Sequence, residues 1–191
     1  MVIIARHLAR IGHAALLAAI VILGTFVAGP VFARPASAGN FTVRTMLQID
    51  GELPMGGYMW SDAGVPDGEM RIVVDLANET LHVYRAGNEI GRSTLIYGDD
   101  RKPTPHGSFT ILQKDADHVS NIYKGAPMPY MMKLTTDGVA LHGSAQIESD
   151  IATHGCVGLP EGFARILFEH ARLGDKVFIT DDWMTGEYAG Y

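Results

Sequence analysis

This sequence predicts a mainly β fold with one helix, and three observations predict it. Short alternating, β-branched segments follow one another from Arg71 onward. The 22 glycines against 9 prolines suit a turn-rich chain better than a helix bundle. Only one stretch, opening at Pro160 just after the single cysteine, carries a helical stripe.

Each element can be justified in order along the 191 residues. Residues 1–38 read as a signal peptide, with Arg6 and Arg10 before the uncharged run "AALLAAIVILGTFVA" and "ASAG" placing Ala36 and Ala38 at a cleavage site. An uncleaved single-span anchor is the alternative. Residues 39–70 form an approach segment in which "FTVRTMLQI" predicts a short strand and Tyr58 and Trp60 supply packing. "RIVVDL", "TLHVYRAG" and "NEIGRSTLIYG" then predict an antiparallel meander, with Leu81, Val83 and Arg85 on one face.

"DDRKPTPHG" is a loop, because its prolines cannot sit in a central strand, and "SFTILQ" resumes as a strand. Residues 115–132 are long and irregular, the pattern of a binding segment or lid. "KLTTDGVALHGS" predicts two short strands around a Thr-Asp-Gly turn. The helix places Phe163, Ile166, Leu167 and His170 on one stripe and is expected to end at Gly174, with Arg172 in its last turn. "DKVFIT" closes the domain of residues 71–180, and residues 181–191 are an aperiodic tail.

Charge narrows the partners. The chain is acidic, at net −6, and without Arg6, Arg10 and Arg34 of the leader it is more so. An acidic surface repels polyanions, so nucleic acid is not expected as a partner. Membrane contact is expected only through the leader, if it is uncleaved.

The chemistry centres on "THGCVGLP". A lone Cys156 in an exported chain has no internal disulfide partner, so it is an inert buried residue, an intermolecular link or a reactive thiol. As a nucleophile it needs a base, and His142, arriving from another strand, can approach it as proton donor and acceptor. His154, two residues away, is poorly placed to share a proton in line and takes a secondary role. Either a backbone carbonyl or the Ser144 hydroxyl can accept the second ring N–H of His142 and orient it. Gly155 permits a sharp turn whose backbone N–H, with that of Cys156, can hold an oxyanion. Such a pair predicts a stabilised thiolate, alkylated quickly even near about pH 6. The bland readings stand beside this one: His142, next to apolar Val139 to Leu141, also fits a core histidine, and His154 fits a loop ligand of a carbonyl. One cysteine and two histidines lack metal-site spacing, so no metal and no cofactor are expected.

Taken together, "VVDLANETLHVY", "PTPHGSF", "HGS" at His142 and "THGCVGLP" resemble the L,D-transpeptidase (YkuD-domain) family. Thr153, His154, Gly155, Cys156 and Val157 match its signature position by position. Gly158 departs from it, standing where the family commonly has Arg or Asn, and the spacer from His142 to Thr153 is short. The resemblance implies a β-sandwich or barrel-like catalytic domain acting on peptidoglycan stem peptides in the periplasm or cell wall. It implies a Cys156 thioester, D-alanine release and 3→3 cross-links in wall biogenesis. Thr153, with Tyr123 and Met128 of residues 115–132, is then expected to touch substrate. The alternatives are an L,D-carboxypeptidase or endopeptidase with the same site, and a non-catalytic wall-binding module.

Overall fold

A computed structural model describes residues 41–123, 125–181 and 183. The expected leader and most of the expected tail lie outside the described residues. Strands β1 (Tyr58–Trp60), β2 (Met70–Asp75), β3 (Thr80–Arg85) and β4 (Asn88–Thr94) come first, then β5 (Gly107–Thr110), β6 (Gln113–Asp115) and β7 (Met131–Lys133). β8 (Ala140–Ser144), β9 (Val157–Pro160), helix α1 (Glu161–His170) and β10 (Lys176–Thr180) complete the order. One sheet runs β1-β4-β3-β2-β10-β5 and the other β6-β7-β8-β9.

The meander is antiparallel as its short turns require. Two pairs are parallel, β10 on β2 and β9 on β8, each joined by a long connection. Ile72, Val74, Leu81 and Val83 face the main core with Leu141, Val157, Leu159 and Leu167. Phe163, fully buried, packs against the rings of Tyr58 at 5.7 Å and Trp60 at 5.9 Å. Burial of one such side chain contributes about 1.5–3 kcal/mol, which pins β1 to α1.

Leu81 and Val83 of β3 lie in the main core, and the other face of the strand is covered as well. Val73, Tyr84, Phe178 and Trp183 form a second cluster on the outer face, joined by Phe41 and Val43. Arg85 stays half-buried and reaches the Asp62 carboxylate and carbonyl.

Three expected boundaries move. "FTVRTMLQI" makes only a single bridge, Thr45 to Asn88, because its partner residue Glu89 spends its carboxylate on the Leu47 N–H. "SFTILQ" divides between the two sheets, with Ile111 and Leu112 crossing from β5 to β6. The helix stops at His170, short of Gly174, because Ala171 turns extended and Lys114 Nζ donates to Phe168 O and Ala171 O at 2.5 Å each. A lysine from β6 thereby satisfies the carbonyls that a glycine cap would otherwise serve.

Candidate active site

The register of β8 on β9 positions the two reactive residues. Leu141 lies opposite Val157 and His142 opposite Gly158. Cys156 directly precedes β9, and its thiol lies against the segment leading into β8, at Gly138 O. A turn delivers the thiol there. Gly155 has φ +99°, and Thr153 Oγ1 donates to the Cys156 carbonyl at 2.5 Å, closing the turn over three residues.

A second threonine braces the same turn, one that the sequence did not single out. Thr104 is 2% exposed; its hydroxyl accepts the Gly98 N–H at 2.9 Å and donates to Gly155 O at 3.1 Å. The signal was its place between Pro103 and Pro105, which hold the loop extended against Gly155. Backbones approach closely here: a Cβ at Gly98 would lie 2.8 Å from the Gly155 backbone. His106 of the same motif points elsewhere, to Asp181 at 2.7 Å.

His142 Nδ1 donates to Gly143 O at 2.8 Å, which leaves Nε2 as the basic nitrogen. Of the two expected orienting groups, the backbone carbonyl is therefore the one in contact. The Ser144 hydroxyl instead donates to Gln146 O at 2.8 Å and does not meet the ring.

The Cys156 thiol donates to Gly138 O at 3.7 Å. Among the described residues, no hydrogen bond joins Sγ to the imidazole. Burial pushes the Cys156 thiol above its usual range, opposed by the Ala140 N–H, and burial likewise holds His142 below the usual histidine value. The expected resting thiolate is thus disfavoured; low dielectric favours a neutral thiol beside a neutral imidazole. The backbone N–H groups of Gly155 and Cys156 take no partner among the described residues, and so are free to meet an oxyanion.

The segment expected as a lid is a hairpin that extends β6 and β7. Val119 bridges Pro127, and Tyr130 N–H donates to Ala116 O. The Ser120 hydroxyl accepts the N–H groups of Ile122 and Tyr123, shaping the tip. Tyr123 then lies on the exposed His154 ring, centroids 4.2 Å apart. Met128 lines a cavity of about 250 Å³ with His118, Ser120, Lys133, Gly138 and Ala140, the last two being the backbone neighbours of Sγ. Thr153 faces the turn itself and not the cavity.

Gly158 has a local reason. Its backbone exchanges both hydrogen bonds with Ile96, at 2.8 and 2.9 Å, and a Cβ would sit 2.7 Å from Ile96 Cγ1. Ile96 occupies the space that a side chain at 158 would need. Among the described residues, no cluster of His, Cys, Asp and Glu is placed to hold a metal ion, and no helix is long and apolar enough to cross a membrane.

Comparison with known proteins agrees with this fold. The family model described as the L,D-transpeptidase catalytic domain matches residues 69–179. An L,D-transpeptidase from Stackebrandtia nassauensis is 26% identical with a TM-score of 0.54, over 60% of this chain and 56% of that one. A mutant L,D-transpeptidase from Enterococcus faecium is also 26% identical, TM-score 0.54, over 59% and 50%. For the fold alone, an enzyme from Mycobacterium smegmatis at 23% identity gives TM-score 0.53 over 58% of each chain. The chain thus spans half or slightly more of the length of these structures. No curated protein sequence matches significantly. With its matched region running from β2 to β10 and enclosing the turn that carries Cys156, the chain belongs to the L,D-transpeptidase catalytic domain family.

Proposed function

We propose that this protein is a cysteine-dependent peptidoglycan L,D-transpeptidase. The observation that carries the reading is a lone thiol, set by a doubly braced turn beside the start of β8, the strand that carries a histidine whose Nδ1 is already engaged. Family membership supports peptidoglycan peptides as the substrate class, and the reading makes the donor a tetrapeptide stem.

The steps follow from the neutral resting pair. His142 Nε2 takes the thiol proton as Sγ attacks the carbonyl carbon of the third stem residue. The N–H groups of Gly155 and Cys156 meet the developing oxyanion, where fixed dipoles in a dry site act strongly. The imidazolium gives its proton to the terminal D-alanine nitrogen, the C–N bond breaks, and a Cys156 thioester remains. An amine of a second stem then attacks the thioester, the C–S bond breaks, and sulfur recovers a proton through His142. The product is a 3→3 cross-link. In this reading Tyr123, stacked on His154, and Met128, in the adjoining cavity, exclude water during the thioester's lifetime. Ser144 has no place in these steps, and Thr153 acts through the turn. Such chemistry belongs outside the cytoplasmic membrane, in keeping with the leader-like residues 1–38.

Purified disaccharide-tetrapeptide incubated with the protein tests this. Dimers joined 3→3 are expected, together with free D-alanine, and none with Cys156→Ala. Tripeptide without dimers would assign hydrolysis instead. No change in the muropeptides would leave a non-catalytic wall-binding role.

A further inference from the structure

The hairpin over the thiol carries a histidine that the mechanism above does not use. His118 Nδ1 lies 3.2 Å from Asp115 Oδ2. A carboxylate on one ring nitrogen fixes the tautomer and leaves the other nitrogen as the base. The ring lines the cavity of about 250 Å³ whose wall includes Gly138 and Ala140. Gly138 O is the hydrogen-bond partner of Cys156 Sγ. The cavity therefore adjoins the sulfur from the hairpin side, while His142 stands on the sheet. Lys133 and Asp137 line it as well, so the charged groups around His118 are Asp115 on β6, Lys133 on β7 and Asp137 in the turn before β8.

Transfer to an amine needs something that hydrolysis does not. An alkyl amine reaches the enzyme as an ammonium, with a pKa of about 10, and cannot attack until it loses a proton. His142 must at the same time return a proton to sulfur. One imidazole serves both ends of that step poorly, and His142 is held back from protonation by burial and by the nearby His118.

We propose that His118, oriented by Asp115, is the base that deprotonates the acceptor amine, making this cavity the acceptor's entry to the thioester. The inference rests on the transpeptidase reading. One ammonium proton passes to His118 and the amine attacks the thioester carbon. A second proton passes by way of His142 to the departing sulfur, and the third stays on the new amide nitrogen. Thiol, amide and protonated His118 result, and His118 then returns its proton to water.

The test uses the full chain with disaccharide-tetrapeptide as donor and acceptor, and reads dimer, tripeptide and D-alanine together. His118→Gln should lower dimer formation by about a hundredfold at neutral pH, the usual scale for losing a general base. D-alanine release should fall far less, so the acyl-enzyme drains to tripeptide. Raising the pH toward the amine's own pKa should restore the dimer fraction, which a merely structural role would not do. Asp115→Asn, keeping its bulk, should shift the ratio the same way to a smaller extent. An unchanged dimer-to-tripeptide ratio in His118→Gln overturns the proposal, as does a lowered ratio that alkaline pH fails to restore. A parallel fall of dimer and D-alanine overturns it too. Wild-type protein that makes no dimer removes the transpeptidase reading itself, and the acceptor base with it.

Discussion

Tyr123 lies on His154 with ring centroids 4.2 Å apart and planes 25° from parallel. The contact joins the tip of the hairpin to the turn that delivers the nucleophile, two segments that are remote in sequence. Ile122, its neighbour, lies 3.5 Å from where a Cβ on Gly138 would stand, so the tip also approaches the residue whose carbonyl holds the thiol. Aromatic pairs contribute about 0.5–1.5 kcal/mol beyond burial. Tyr123→Ala should therefore admit water and shift products from dimer toward tripeptide by up to about tenfold. Product ratios by chromatography check this, and Tyr123→Phe should retain the wild-type ratio.

Thr104 ties the proline loop to the nucleophile's turn. Thr104→Val keeps the volume and removes both hydrogen bonds, leaving the Gly98 N–H and Gly155 O buried without their partner. Such a loss costs about 1–3 kcal/mol. The turn should relax, lowering kcat more than it raises KM, because the oxyanion donors are what it aims. Thr104→Ser should recover most of the loss. Steady-state D-alanine release and thermal unfolding measure the two effects separately.

Gly158 gives a third expectation. Gly158→Asn would restore the residue type common at this position in the family, yet it should destabilise this chain. The new Cβ meets Ile96 Cγ1 at 2.7 Å and Cδ1 at 3.1 Å. Overpacking of this kind costs about 1–3 kcal/mol. Ile96→Ala is itself destabilising, but combined with Gly158→Asn it should cost less than the sum of the two. A double-mutant cycle in thermal or denaturant unfolding reads the coupling.

Much of this was legible in the sequence. The β2–β4 meander and the helix start at Pro160 follow from local pattern, where neighbours in sequence decide the outcome. What was not legible depends on partners far along the chain. Lys114 ends the helix from β6, Trp183 covers β3 through its Nε1–H to the Tyr84 hydroxyl, and Ile96 excludes a side chain at 158. Strand β9 was hidden because "VGLP" is too short to alternate and its pairing with β8 is parallel. Gly143 O took the orienting role because a carbonyl next to the ring needs no side-chain rotamer, whereas the Ser144 hydroxyl closes its own turn with Gln146.

Glu89 makes a fourth case, away from the chemistry. Its side chain is fully buried, with Oε1 2.7 Å from His82 Nδ1 and 2.8 Å from Arg92 Nε, while Oε2 accepts the Leu47 N–H. Burial alone would raise its pKa, but the hydrogen bonds from His82 and Arg92 overcome this and hold the carboxyl below the usual range. Glu89→Ala strands two basic groups and a backbone donor, a loss of about 3–5 kcal/mol. Denaturant unfolding should show it directly. In the wild type this contribution is present above about pH 4.3 and is lost as pH falls through the lower, folded value.

Burial also sets the charge of the reacting pair, and the consequences have opposite signs. His142 is held low by burial, the Gly143 carbonyl opposing and His118 adding to the effect. The unfolded ring binds a proton that the folded ring resists, so stability falls as pH drops through about 6.5. Cys156 is raised by burial against the Ala140 N–H. The unfolded thiol loses a proton that the folded one keeps, so stability falls as pH climbs through about 8.5. Thermal unfolding should plateau between these values, with His142→Ala flattening the acid limb and Cys156→Ala the alkaline one. The same charge states govern reactivity: iodoacetamide should modify Cys156 more slowly at neutral pH than it modifies a free thiol, and the rate should keep rising past about pH 8.5. Fast alkylation near about pH 6, as a standing thiolate would give, would show that the sulfur leaves Gly138 O for the imidazole in solution.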